Sequence, residues 1–310
     1  MIPAEYMWTK RKFLGDTLYL SGGVIVATQL GYTTLLGGKK ERKLTILHTN
    51  DTHSHIDPFP VDDSKYPGRG GVSHRANLIN NIRLQEENVL LLDAGDIFQG
   101  TPYFNKYGGV LEMKVMKALG YDASTMGNHD FDGGMEGFKT AQEYADFSFL
   151  CANYDFSNTV LTGLTKPHHI FNKGGIKIGV FGVGVELDGL VPKIKYEDTE
   201  YIDPIAIAQE QVEQLQKAKC DLIVCLSHLG YAYDNALKVS DYKLAQETKG
   251  IHLIIGGHTH TFLSEPTVLK NSEGDNVLVN QVGWAGLNLG RIDFVFEKGK
   301  NKGEGQLIEI

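Results

Sequence analysis

Seven side chains of metal-binding type fall into four short clusters along this 310-residue chain: Asp51 with His53, Asp96, Asn128, and His228 with His258 and His260. Each cluster follows an apolar run that reads as a β-strand, so strand ends would gather all seven into one polar site. Imidazoles, carboxylates and one amide oxygen in this number suit two divalent ions that share one carboxylate. Zn²⁺, Mn²⁺, Fe²⁺ or Co²⁺ would accept such ligands, and no other cofactor is implied. The chemistry of such a pair is hydrolysis, because two ions clamp a phosphoryl oxygen and lower the pKa of a bound water.

The local spacing suggests how each cluster works. Asp51-Thr-His53 places two ligands at i and i+2, which an extended chain points to one side. Gly257-His258-Thr-His260 repeats that spacing. Asp96 lies in a glycine-flanked turn within Gly95–Gly100, suited to bridging two ions, while Asp93 is expected to satisfy loop backbone. Gly127–Asp132 offers an amide oxygen, an imidazole and two carboxylates within a few residues. His48 reads as a packed core histidine, His252 as a surface or rim residue and Arg75 as a solvated helix residue. His168 and His169 carry no assignment.

The elements alternate between strand and helix from Lys43 onward. Apolar runs predict strands over Leu44–Leu47, Val89–Leu92, Ala123–Met126, Phe149–Ala152, Ile176–Val183, Leu222–Leu226, Leu253–Ile255, Val277–Val282 and Leu289–Phe296. Several are continuously apolar, as in strands buried on both faces. Helical spacing covers Ser73–Leu84, Val110–Leu119, Met135–Tyr144 and Pro204–Lys217, the last with Pro just inside its start. The fold class is α/β: a β-sandwich core flanked by helices, with the active site at strand ends.

A net charge of −8 argues against a surface that grips nucleic-acid backbone. Cys151, Cys220 and Cys225 read as buried thiols. Residues 1–42 form a separate segment. Lys10-Arg11-Lys12 precedes an uncharged stretch, Thr17–Gly38, and the pattern resembles a twin-arginine export signal whose first arginine is lysine. It implies a protein exported to the periplasm, or anchored on the outer side of the cytoplasmic membrane through residues 17–38. A plain N-terminal extension is the other reading.

The motifs together carry a more specific resemblance. Leu44–Ile56, Gly95–Gly100, Tyr121–Asp132, Ser227–Gly230 and Gly256–His260 follow, in order and spacing, five motifs of the calcineurin-like metallophosphoesterases, and within them of the 5′-nucleotidase family. The similarity spans roughly residues 43–297, with residues 43–310 as catalytic domain. It implies one ion held by Asp51, His53, Asp96 and His260, and a second held by Asp96, Asn128, His228 and His258. His129 would face the substrate phosphate, oriented by Asp132, while a water activated by the ions attacks phosphorus directly. Asp130 stands where the family usually has Glu; as neither ligand nor dyad member, it is expected to matter little.

Members of this family usually carry a second, C-terminal domain that stacks the base and supplies arginines. This chain ends at Ile310, which suggests a separate polypeptide in that role, or low selectivity among phosphate esters. The favoured function is a phosphomonoesterase acting on nucleotides. A cyclic phosphodiesterase or sulfur-ester hydrolase on the same site, and a non-catalytic metal-binding subunit of a split nucleotidase, are the alternatives. The intact His129–Asp132 pair argues against the last.

Overall fold

A computed structural model describes residues 42–235, 237–297 and 300–310. The segment expected to direct export or anchoring lies outside the described residues, except for Arg42, which opens the first strand. Fourteen strands are described: β1 (Arg42–Thr49), β2 (Val89–Asp93), β3 (Ala123–Ser124), β4 (Ser148–Phe149), β5 (Tyr154–Asp155), β6 (His168–Lys173), β7 (Ile176–Gly184), β8 (Glu200–Tyr201), β9 (Leu222–His228), β10 (Leu253–Gly256), β11 (Thr267–Lys270), β12 (Asn276–Asn280), β13 (Asn288–Glu297) and β14 (Lys300–Glu309). They build two six-stranded sheets, ordered β14-β13-β1-β2-β3-β4 and β11-β12-β10-β9-β7-β6, and the small pair β5-β8.

The alternation of side chains explains why these strands are apolar throughout. Leu44 and Ile46 of β1, Leu90 and Leu92 of β2, Leu222, Val224 and Leu226 of β9, and Leu253 and Ile255 of β10 fill one core between the sheets. The intervening residues point the other way. Leu47 and Leu91 pack beneath helices α1 (Val72–Gln85) and α3 (Val110–Leu119), and Ile223, Cys225 and Ile254 lie in a third core with residues of α6 (Pro204–Lys217) and α7 (Asp241–Glu247). Both faces of each central strand are therefore buried, as the apolar runs require. The short helices α2 (Pro102–Tyr107), α4 (Gly134–Gln142) and α5 (Lys193–Tyr196) complete the α-helices, and a 3₁₀ turn over Asn128–Phe131 follows β3. Helix α6 starts where its caps dictate: Asp203 accepts from the backbone N–H of Ile205 and Ala206, and Pro204 takes the first helical position.

Strands β1, β2, β3 and β4 run parallel in one sheet, and β7, β9, β10 and β12 in the other. The C-terminal ends of β1, β2, β3, β9 and β10 carry the polar clusters, which is where parallel sheets place ligand-binding loops. Among the described residues no helix is long and apolar enough to cross a membrane.

Two sequence-based expectations need correction. Arg75 is buried, not solvated, and its Nε and Nη1 have no hydrogen-bond partner. His252 is half-buried and accepts the backbone N–H of Ile223 through Nδ1 at 3.1 Å. Cys151 and Cys225 are buried thiols, whereas Cys220 is only half-buried. His48 is a core histidine as expected, fully buried, with Asn280 donating to its Nε2.

Candidate metal centre

The seven clustered residues converge. Asp51, His53 and His260 form one group whose ligand atoms all lie within 4.8 Å of one another, and Asp96, His228 and His258 form another. In the first group the Nε2 atoms of His53 and His260 face each other at 3.1 Å, and His260 Nε2 lies 3.4 Å from Asp51 Oδ1. Asp96 Oδ2 stands between the groups, 3.1 Å from His228 Nε2 and 3.8 Å from His53 Nε2. Asn128 Oδ1 joins the second group, 2.8 Å from His258 Nδ1.

The expected reason for this convergence was wrong for the paired motifs. Asp51 and His53 are not in extended chain; their φ angles are +50° and +46°. Asp96, His258 and His260 are also left-handed, at +55°, +72° and +51°. Non-glycine residues held there cost about 1–3 kcal/mol each and persist only where surrounding structure fixes them. The tight turns also split the second pair: His258 and His260 belong to different groups.

The surroundings hold these turns in place. His53 donates Nδ1–H to Phe98 O at 3.1 Å and His228 to Ala94 O at 2.7 Å, which directs each Nε2 at the site, where it carries a proton or meets a cation. Asp51 accepts the backbone N–H of His258 at 3.0 and 3.1 Å, and Asn50 donates to Asp51 Oδ2 at 2.6 Å. Two glycines allow the close approach: a Cβ on Gly127 would stand 2.2 Å from Asp96 Oδ1, and one on Gly257 would stand 2.7 Å from His228 Nδ1.

Asp130 does far more than the sequence suggested. Its fully buried carboxylate accepts four backbone N–H groups, with Oδ2 taking Asp96 (2.9 Å) and Gly127 (2.8 Å) and Oδ1 taking Ile97 (3.0 Å) and Phe98 (3.3 Å). It therefore shapes the whole Asp96 turn. Asp93, as expected, serves loop structure, accepting from Gly95 N, Thr49 Oγ1 and Ser124 Oγ. Asp241 and Gln281 went unnoticed in the sequence. Asp241 accepts from Ser227 Oγ at 2.5 Å, and Gln281 donates to Gly257 O at 2.6 Å while accepting from Thr261 N. Nothing local marks either residue, because only the tertiary fold brings them behind the histidines.

The electrostatics match a cation site. Burial opposes a charge on His228, but the adjoining Asp96 carboxylate outweighs it and raises the imidazole to about 10. Burial likewise opposes charge on Asp96, and His228 overcomes it, holding the carboxyl well below its usual range. Burial, then the neighbouring His228, lowers His258 to about 4. The buried Nε2 of His228 has Asp96 Oδ2 3.1 Å away but out of hydrogen-bonding line, and the opposed Nε2 atoms of His53 and His260 need a cation or proton between them. The donor set thus fits divalent ions. Beside it, His129 Nδ1 lies 2.8 Å from Asp132 Oδ2, and His129 N donates to Asp96 Oδ1 at 2.8 Å. The Asp132 hydrogen bond is the main influence that raises the His129 pKa, against partial burial.

The profile of the calcineurin-like phosphoesterase family matches residues 44–262. The chain belongs to the calcineurin-like phosphoesterases. Among curated relatives of this phosphoesterase, a snake venom 5′-nucleotidase from Gloydius brevicauda is 32% identical over 82% of this chain and 45% of its own length. A trifunctional nucleotide phosphoesterase from Bacillus subtilis is 33% identical over 82% of this chain and 18% of its own. The chain thus spans less than half of either relative. A 5′-nucleotidase precursor from Thermus thermophilus superposes with a TM-score of 0.76 at 35% identity, covering 86% of this chain and 55% of that one.

Proposed function

We propose that this phosphoesterase hydrolyses phosphate monoesters, nucleotides first among them, with two divalent ions. Asp51, His53, Asp96 and His260 would hold one ion, and Asp96, Asn128, His228 and His258 the second. Bound there, the ions neutralise phosphoryl oxygens and acidify water. The observation that carries the reading is the position of Asp96, shared between the two ligand groups and tied to the backbone of His129.

The chain's own residues supply the rest. Asp132 fixes the His129 tautomer by accepting its Nδ1–H, so Nε2 is the atom free to meet the ester. In its protonated form His129 stabilises charge on the phosphoryl oxygens and gives its Nε2 proton to the leaving oxygen. Nucleotide preference is supported by the names of the relatives, all of them longer than this chain's match. Export belongs to the same reading and is supported by the basic Lys10–Lys12 cluster before an uncharged stretch; cell fractionation of the full chain tests it.

The test of the function is hydrolysis of AMP and p-nitrophenyl phosphate by metal-loaded protein, with His129→Ala as control. A positioned proton donor is typically worth about 10²–10⁴ in rate, so the variant should lose that much kcat while keeping its metal. Equal loss of metal, or unaltered kcat, would contradict the assigned role.

A further inference from the structure

Next to the metal centre stands a group of rings that the hydrolytic chemistry does not use. The Trp284 ring lies parallel to the His260 imidazole, 5.7 Å between centroids and 5° between planes. His55 and Phe59 meet Trp284 edgewise at 5.3 and 6.2 Å and stack on each other at 5.3 Å, and Tyr66 follows Phe59 at 5.4 Å. The loop bearing Trp284 is fastened to the site: Ala285 N donates to Asp51 O at 2.7 Å, and Asn50 Nδ2 donates to Gly283 O at 2.6 Å. His55 is fastened too, its Nδ1 lying 2.9 Å from His53 O.

Of these rings His55 and Phe59 line a cavity of about 300 Å³ between segments 55–60 and 101–103, with Pro58, Pro60, Tyr103 and Asp57 also in its walls, and Trp284 packs on both rings. That size is at the lower end of small-molecule sites. Its prolines restrict the backbone, and the Tyr103 hydroxyl donates to Asp57 Oδ2 at 2.6 Å, so the walls are preformed. His55, Phe59, Tyr103 and Trp284 are only half-buried, unlike rings that serve packing alone. A larger cavity of about 650 Å³ touches Leu229, next to His228, but three acids, Glu186, Asp188 and Asp203, line it against one cation, Lys238, and that surplus repels a phosphate ester; the smaller cavity has one acid, Asp57, engaged by Tyr103.

We propose that the cavity beside His55 and Phe59 is the subsite for a planar ring in the leaving group, so that esters carrying a nucleobase or aryl ring are the preferred substrates. The inference rests on the hydrolase reading for its substrate class, but the ring contact itself is measurable without turnover. Stacking on an aromatic side chain is worth about 1–3 kcal/mol per base, or roughly 5- to 150-fold.

The test compares Phe59→Ala and Phe59→Leu in the metal-loaded full chain, with AMP and glycerol 2-phosphate as substrates. Both variants should lower the AMP-to-glycerol-phosphate ratio of kcat/KM by roughly 5- to 150-fold, mainly through KM for AMP. A wild-type ratio in both variants would overturn the subsite, and so would loss in the alanine variant with retention in the leucine variant, since bulk and not the ring would then matter. A second readout is independent of hydrolysis. Trp8 and Trp284 are the two tryptophans, so in a Trp8→Phe background emission reports Trp284 alone. Adenosine should quench it, ribose should not, and Phe59→Leu should weaken the quenching. Quenching without hydrolysis of any ester would sink the hydrolase reading and leave the subsite standing; hydrolysis without quenching would do the reverse.

Discussion

Replacing Asp130 by Asn tests whether a residue outside the ligand set holds the centre together. The carboxylate accepts two backbone N–H groups on each oxygen, from Asp96 and Gly127 on one and from Ile97 and Phe98 on the other. An amide offers one acceptor oxygen, so in either orientation its NH₂ faces two N–H donors. Each buried donor left unpaired costs about 1–3 kcal/mol, so the pair costs about 2–6 kcal/mol. At roughly 2–4 °C per kcal/mol for a domain of this size, the metal-free chain should melt roughly 4–24 °C lower. The damage falls on the Asp96 turn, so metal affinity should drop as well. Asp130→Glu keeps all acceptors and adds one methylene to a fully buried slot, an overpacking cost of about 1–3 kcal/mol. Thermal melts and competitive metal titration of the three proteins give the answer. An Asn variant within about 2 °C of the parent, with unchanged metal affinity, would refute the reasoning.

Two further predictions concern pH. Asp132 is the main influence raising the His129 pKa, so with His129 acting as an acid, activity declines as pH rises through that raised value. Asp132→Asn should shift the alkaline limb of kcat/KM to lower pH; an unmoved limb would remove Asp132 from its orienting role. Burial lowers His48 to about 3, so between that pH and 6.5 the unfolded chain binds the extra proton. The contribution of His48 is intact above pH 6.5 and is lost as pH falls, at up to about 1.4 kcal/mol per unit. His48→Leu should lower Tm at pH 7, because Asn280 loses its partner, yet flatten the acid slope of the metal-free protein; a slope as steep as the parent's would contradict this.

What the sequence disclosed follows a physical divide. Central strands such as β2 and β9 were legible because burial on both faces makes them apolar throughout, and the residues just past their ends stood out as metal-binding types. Edge strands β6, β11 and β14 were not foreseen. Lys300–Glu309 carries Lys, Gly, Asn and Glu through most of its length, which suits an exposed edge and erases the periodic signal, and His168–Lys173 is short, its two apolar residues, Ile170 and Phe171, packing on different cores. Spacing pointed to the candidate ligands, but not through extended chain: left-handed turns at Asp51, His53, His258 and His260 set their directions. Asp130 was visible and undervalued for the same reason: its work is to accept backbone N–H groups from a turn whose shape no local pattern encodes. Asp241, Gln281 and Trp284 reach the site from distant parts of the chain.

The most direct test is a metal titration of chelator-stripped protein, following bound ion and p-nitrophenyl phosphate turnover together. A binuclear centre predicts saturation at two equivalents per chain, with turnover appearing only as the second site fills, and one equivalent bound without turnover in His258→Ala. Full turnover at one equivalent, or in the stripped protein, would contradict the shared-carboxylate centre on which the account rests.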